Sequence, residues 1–471
     1  MKSLYISIIT GLILICCSCR KFMVAEEPIN QQSAKFLYSS DVTAAQVLNG
    51  IFYYISQINL PYKISLTHGL LSDEIELFNK SNQELLPFYT NSMTGQSETF
   101  IWGHSYDVIF KVNAALEGIE SSKGVSQAFK QQFVGEMKFL RAYSYFNLAN
   151  CYGAVPLITS TDYQLNYLKG RASEAELNEF VMNELAEAKQ MVSTNYVGAN
   201  LTTASTNRTH INKSVVAALQ AKVSLYQEEW IDAERYASEV IGNSVYELVQ
   251  EVDQVFLAGS KEAIWQIAPI DVDWGTSEAR NFLLPETGPN IGNKPVYLNR
   301  DLANLFESGD LRKQHWIGKI VTTDGEFFYS RKYKQESKLS SEGFQELSIV
   351  FRLAEIFLIR AEAKVKLGKE MGPGSAQEDL WEIRRRAGLT GALPTDSHSL
   401  LASIAEERRR ELFVEMGNRW QDLKRTEKIS ILMPSVAVHK EGRWQPTDQL
   451  FPIPEADLLR APNLKPQNPG Y

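Results

Sequence analysis

A helix-dominated fold, a solenoid of paired helices interrupted by one loop-rich region containing short β-hairpins, is the architecture this sequence predicts. Three observations predict it. From Asp41 onward apolar residues recur mainly at helical spacing. Two stretches, 216–240 and 356–386, each hold two such runs separated by a short break, the pattern of a helical hairpin. Between them, residues 245–345 lose that period, collect prolines and glycines, and carry two β-prone segments.

The start of the chain has a different character. Lys2 precedes an apolar run at residues 4–15, broken only by Ser7, Thr10 and Gly11. The run is too short to span a bilayer and has the proportions of a secretory signal. It ends in Cys16, Cys17, Ser18 and Cys19, followed at once by Arg20 and Lys21. A cysteine placed after such a run and a small residue reads as a lipoprotein start: cleavage before it frees the thiol to take a diacylglycerol. Ser18 favours Cys19 as the lipidation site. Cys17 stays open, because Leu14 stands three places before it. Several acyl chains on one terminus hold a protein stably, where a single chain binds only marginally. The expectation is a signal peptide over 1–18 and a lipidated tether over 19–36, with Pro28, Asn30, Gln31 and Gln32 as its polar filling.

Trp102, Tyr106, Ile109 and Asn113 form one stripe of a helix. Residues 133–150 are helical but apolar on most sides, through Phe133, Met137, Leu140, Tyr143, Phe146 and Leu148, so this helix is expected to lie between neighbours. Gly153 suits a left-handed cap and Pro156 bars continuation. Val216, Leu219, Val223 and Tyr226 line one helix of the first hairpin; Trp230, Ala233, Ala237 and Val240 line the other. Ala221 and Ala233 are twelve apart, a spacing at which tetratricopeptide helices cross closely. The second hairpin begins with Ile356, Ile359, Ala363 and Leu367, breaks at Gly372-Pro373-Gly374, and resumes from Ala376 to Arg386. Helix pairs of this kind stack into a solenoid. In the insert, residues 262–267 are β-prone, and 326–333 follow Asp324-Gly325, a hairpin turn. The tail, 451–471, has five prolines and is expected to lie as an extended strap.

The composition excludes several functions. Net charge is −8 with no basic cluster, against nucleic acid or an anionic lipid surface as ligand. Beyond the expected cleavage point only Cys151 remains, so no internal disulfide forms and the core must carry stability. The six histidines are scattered without ligand spacing, and no phosphate loop or nucleophile elbow is present, so neither metal nor cofactor is expected.

Several strings then converge on one family. FLRAYSYF at 139–146 runs on to YGAVPL at 152–157; CRKFM stands at 19–23; RLAEI at 352–356 is followed by RAEA at 360–363. IRRRAGL occupies 383–389, ERRREL 407–412, RWQDL 419–423, PIP 452–454 and QNPGY 467–471. In kind and order these resemble the motifs of the SusD/RagB family over essentially the whole chain. Two departures are Met23, where leucine is usual, and Asn418, where histidine often follows the glycine. The resemblance implies a TPR-like fold, with an N-terminal region over 37–240 and a C-terminal region over 241–471. It also implies a nutrient-binding lipoprotein, exposed on the outer membrane, that partners a SusC-like TonB-dependent transporter and delivers glycans or peptides to it.

Glu407, Glu411 and Glu415 fall at i, i+4 and i+8, the one arrangement that suggests a hydrolase. Each has arginine within helical reach, Glu406 and Glu407 on Arg410 and Glu415 on Arg419, so ion pairing is the expected role. Binding rather than catalysis is therefore expected, with a peptide ligand as the alternative to a glycan. A sugar ring offers an apolar face to aromatics and a rim of hydroxyls to polar side chains. Loop-borne aromatics are accordingly the candidates: Trp274 with Asp273, Phe78, Phe88, Tyr89 and Trp316. Trp102, Tyr106 and Trp420 are expected in the core. Asp73-Glu74 suits either sugar hydroxyls or local tethering.

Overall fold

The computed structural model describes residues 36–97, 100–270, 274–337 and 346–471. The expected signal peptide, Cys19, the tether to residue 35, and Asp273 lie outside them. Helices of eight or more residues are α1 (Asp41–Gln57), α2 (Leu60–Leu71), α3 (Phe100–Glu120), α4 (Gln127–Tyr152), α5 (Glu174–Met191), α6 (Lys213–Tyr226) and α7 (Trp230–Ile241). After the insert come α8 (Leu353–Lys366), α9 (Ala376–Arg386), α10 (Ser397–Glu411), α11 (Asn418–Arg425) and α12 (Ile429–His439). Starts are set by short polar caps: Ser40 and Ser173 close capping boxes with Thr43 and Glu176, and Asn212 caps α6.

α4 packs against α3 and α5, which explains its all-round apolar surface. Phe133, Met137, Leu140 and Leu148 have no exposed surface, each burial contributing roughly 1.5–3 kcal/mol. The helix ends at Gly153, whose φ of 69° is open to glycine at little cost. Both hairpins form as expected. Ala221 and Ala233 are fully buried where α6 meets α7, and α7 packs on α8, so the two hairpins join in one stack.

Strands of the insert join strands from outside it in two small sheets. β1 (Ile75–Leu77), β3 (Val296–Leu298), β5 (Gly325–Ser330) and β4 (Ile317–Thr322) lie in that order, all antiparallel. Thr322 faces Gly325 across the Asp324-Gly325 turn. β2 (Ala263–Ile267) pairs with β6 (Ser348–Arg352), Ala263 opposite Arg352 and Ile267 opposite Ser348. This pair runs straight into α8 and connects the insert to the helical stack.

Two expectations are corrected. The tail is not extended throughout: Glu455–Arg460 forms a helix with acidic residues in its first turn, and Pro462–Leu464 a further turn. Asn468 holds the end in place by donating to the carbonyls of Tyr152 and Phe451. Glu415 also leaves the helix of Glu407 and Glu411. α10 stops at Glu411, because Arg352 Nη2 and Lys332 Nζ donate to its carbonyl at 2.7 and 2.8 Å, and the chain then passes through positive φ at Val414 and Met416.

Candidate functional site

Beside the end of β2 and the start of α2 lies a cleft of 130 Å³. Its walls come from four segments: Ser56 to Tyr62 at the α1–α2 junction, Ile267 to Ile270, Gly275 to Arg280, and Ser348. Hydrogen bonds join these segments. Ser56 Oγ donates to the Ala268 carbonyl at 2.5 Å, Ser277 Oγ donates to Asn59 Oδ1 at 2.7 Å, and Ser348 Oγ donates to Glu278 Oε2 at 2.7 Å. Glu278 is 5% exposed, and burial raises its pKa. The Tyr62 ring leans on Phe282 at 5.5 Å.

Trp274 directly precedes Gly275 of the cleft wall. It forms a bridge to Ser337, and the Gly275 amide donates to the Glu336 carbonyl at 2.9 Å. A Cβ on Gly275 would fall 1.8 Å from the Gln335 carbonyl oxygen, so only glycine lets the two strands approach this closely. The indole is 48% exposed, the most open of the eight tryptophans.

The other aromatic candidates are placed differently. Phe78 is half-buried, its edge on Phe327 at 5.8 Å. Phe88 and Tyr89 form a helical turn rather than a loop and are buried, Phe88 against Phe451 and Tyr89 donating to Glu76 Oε2 at 2.5 Å. Trp316 is fully buried and donates from Nε1 to the Val252 carbonyl at 2.9 Å. These three rings offer no face to a ligand, because each sits on a short helix packed onto the core. Trp102 and Trp420 are buried as expected, and Tyr106 is partly so.

Trp316 in fact covers a charged interior. Lys332, Arg352 and Arg386 lie 5.0, 5.8 and 5.6 Å from its ring centre. Arg312 bridges Glu407 at 2.6 Å and Glu411 at 2.7 Å; Arg352 bridges Glu262 at 2.9 Å, Glu411 at 2.5 Å and Glu415 at 2.7 Å. Lys332 pairs with Glu415, and Arg386 with Glu262 and Glu411. Burial alone would raise the Glu411 pKa, but Arg386, Arg352 and Arg312 hold it well below the usual range. Glu406 and Glu407 meet Arg410 as the spacing predicted. Glu415 does not meet Arg419, which binds Asp73 instead at 2.8 and 2.9 Å. Asp73 and Glu74 are thus tethers: burial opposes ionisation of Asp73, yet Arg419 and Arg409 bring its pKa down to about 2. Glu407 and Glu411 have no exposed surface and cannot meet a polymer in solution. Among the described residues no cluster of His, Cys, Asp or Glu has the makings of a metal site.

A family described as "SusD family" matches residues 317–471, and one described as "Starch-binding associating with outer membrane" matches residues 25–225. The chain belongs to the SusD/RagB family. A SusD-like protein of Formosa agariphila is 27% identical over 81% of this chain and 82% of its own length. The starch-binding protein SusD of Bacteroides thetaiotaomicron is 24% identical over 85% and 84% respectively. A laminarin-binding SusD-like protein of known structure shares the fold at a TM-score of 0.73, with 21% identity, covering 92% of this chain and all of its own. Two of these relatives are named for starch and laminarin binding, and the family matching residues 25–225 is described as associating with the outer membrane. Among the described residues no helix is long and apolar enough to cross a membrane.

Proposed function

We propose that this protein is a cell-surface lipoprotein that binds oligo- or polysaccharide and delivers it to a SusC-like TonB-dependent transporter. The observation that carries the binding role is Trp274: a half-open indole held by backbone pairing beside a polar cleft. Its face suits the C–H side of a sugar ring, and the adjacent carboxylate, amide and guanidinium suit hydroxyls. The starch- and laminarin-binding relatives support a glycan over a peptide. No catalytic role is assigned, since the helix carboxylates are committed to buried cations.

A second surface supports a macromolecular partner. Phe110 on α3, Tyr163 and Tyr167 on a short helix, and Leu168 just after it are all more than half exposed and line one surface. Contiguous apolar surface of this kind marks association; the transporter is the proposed occupant. Acylation at Cys19 is the proposed anchor.

Affinity electrophoresis of residues 20–471 against polysaccharide and peptide panels tests the reading. Retardation by a polysaccharide, reduced in Trp274→Ala, is the expected result. Binding of peptide mixtures with no polysaccharide retained would overturn it. For the anchor, Cys19→Ala is expected to lose labelled palmitate and leave the membrane fraction; full membrane recovery, with an unlabelled parent, would refute lipidation there.

A further inference from the structure

The cleft beside Trp274 is small. At 130 Å³ it lies below the roughly 300–1,000 Å³ of sites that bury a ligand of several rings. Four chain segments wall it, rather than the two sides of an open groove, so a polymer has room to place one unit inside and must leave the remainder outside. Trp274 adjoins the cleft wall at Gly275 and is open to solvent, which makes it available to that remainder.

The polar groups within the cleft narrow the choice further. The hydroxyls of the 276–277 turn are already engaged: Thr276 Oγ1 accepts from the Ala279 amide at 3.2 Å, while Ser277 Oγ donates to Asn59 and accepts from Arg280 Nη2 at 3.1 Å. Two groups keep capacity. Glu278 accepts from Ser348 Oγ and from its own backbone amide, which leaves further lone pairs on its two oxygens. Arg280 lines the same cleft, and its Nε has no hydrogen-bond partner. An acceptor beside a donor matches a sugar hydroxyl pair, in which each oxygen both gives and takes a hydrogen bond. A carboxylate that is 5% exposed gains more from such donors than one in water would.

Resting on the glycan reading above, we propose that the cleft seats a single terminal sugar residue, with Glu278 accepting from its hydroxyls, Arg280 donating to them, and Trp274 stacking on the next ring. The protein then recognises chain ends rather than the middle of a polymer. Glu278 is the specificity-determining residue, and Trp274 supplies contact area that tolerates different linkages.

The experiment is calorimetry of the soluble chain with linear malto- and laminari-oligosaccharides of increasing length, and with a cyclic glucan that has no ends. Chain-end capture predicts an affinity per mole of chain that levels off once the cleft and Trp274 are both filled, and no binding of the cyclic compound. Glu278→Gln, which keeps shape and the Ser348 contact, is expected to weaken binding about tenfold without lowering the melting temperature. Affinity that climbs steadily with length, or a cyclic glucan bound as well as a linear one, would overturn chain-end capture and leave glycan binding standing. Trp274→Ala weakening binding while Glu278→Gln does not would remove Glu278 from the site. The length series and cyclic probe need no variant, so a folding defect in Glu278→Gln leaves the test decisive. Wild-type protein that binds no glycan in any panel would overturn the glycan reading and this inference together.

Discussion

Arg352 Nη1 donates to Glu411 Oε1 at 2.5 Å, joining the last residue of β6 to the last residue of α10 inside the protein. Both residues are almost fully buried, and the same guanidinium reaches Glu262 and Glu415. The insert, the hairpin stack and the C-terminal helices therefore meet at one ionic centre.

Removing one member of such a centre leaves its partners charged and buried. Arg352→Ala is expected to cost about 3–5 kcal/mol, read as a lowered midpoint in urea unfolding. An unchanged midpoint would mean that water reaches the cluster.

Glu407→Gln and Glu411→Gln separate structure from catalysis. Both are expected to lower the melting temperature, to leave retardation on polysaccharide unchanged, and to show no change in polysaccharide turnover from a parent that has none. Turnover in the parent that either substitution abolishes would restore the hydrolase reading.

Glu74 gives a pH dependence of defined sign. Burial, then the charge of Asp73, raises its pKa to about 7, from 4.5 in the unfolded chain. The folded state holds the proton more tightly, so stability falls as pH rises from 4.5 to about 7. Glu74→Gln, which keeps an oxygen for the Val414 amide, is expected to gain up to about 3 kcal/mol above that range and nothing below it. A variant whose stability curve parallels the parent's at every pH would contradict this.

Trp274→Ala is expected to weaken glycan binding roughly three- to tenfold, measured by retardation. Trp316→Ala, by contrast, is expected to cost about 3–5 kcal/mol of stability, because its ring covers the ionic centre. If Trp316→Ala were as stable as the parent, its burial would be in error.

Tyr163→Asp combined with Tyr167→Asp is expected to abolish co-purification with the transporter, at unchanged melting temperature and glycan affinity. Both side chains are more than half exposed, so the fold does not depend on them. Co-purification at parental yield would place the partner elsewhere.

Much of the scaffold was legible because helical burial writes itself at regular spacing. The stripe of Trp102, Ile109 and Asn113, the all-round apolar α4, and the Ala221–Ala233 crossing follow from local pattern alone. Glu406–Arg410 was legible for the same reason, being four residues apart on one helix. The Glu415–Arg419 pair does not form, because α10 is ended at Glu411, before either residue, by Arg352 and Lys332 arriving from distant segments. The aromatic candidates divided likewise. Local composition marks Trp274, Phe88, Tyr89 and Trp316 alike, and only tertiary packing separates the open Trp274 from the three rings that short helices bury. Glu278 and Arg280 carried no signal, since two charged residues in a polar stretch are ordinary until Ser56, Asn59 and Ser348 close around them.

The sequence by itself determined the helical hairpins, their breaks, the family and the expectation of an exported, lipid-anchored chain, all of which rest on residues near one another in order. Tertiary structure alone decided which aromatics remain open, where each buried charge finds its partner, and that a cleft exists beside Trp274. Those outcomes depend on contacts between segments tens to hundreds of residues apart, and spacing along the chain carries no measure of distance in the fold.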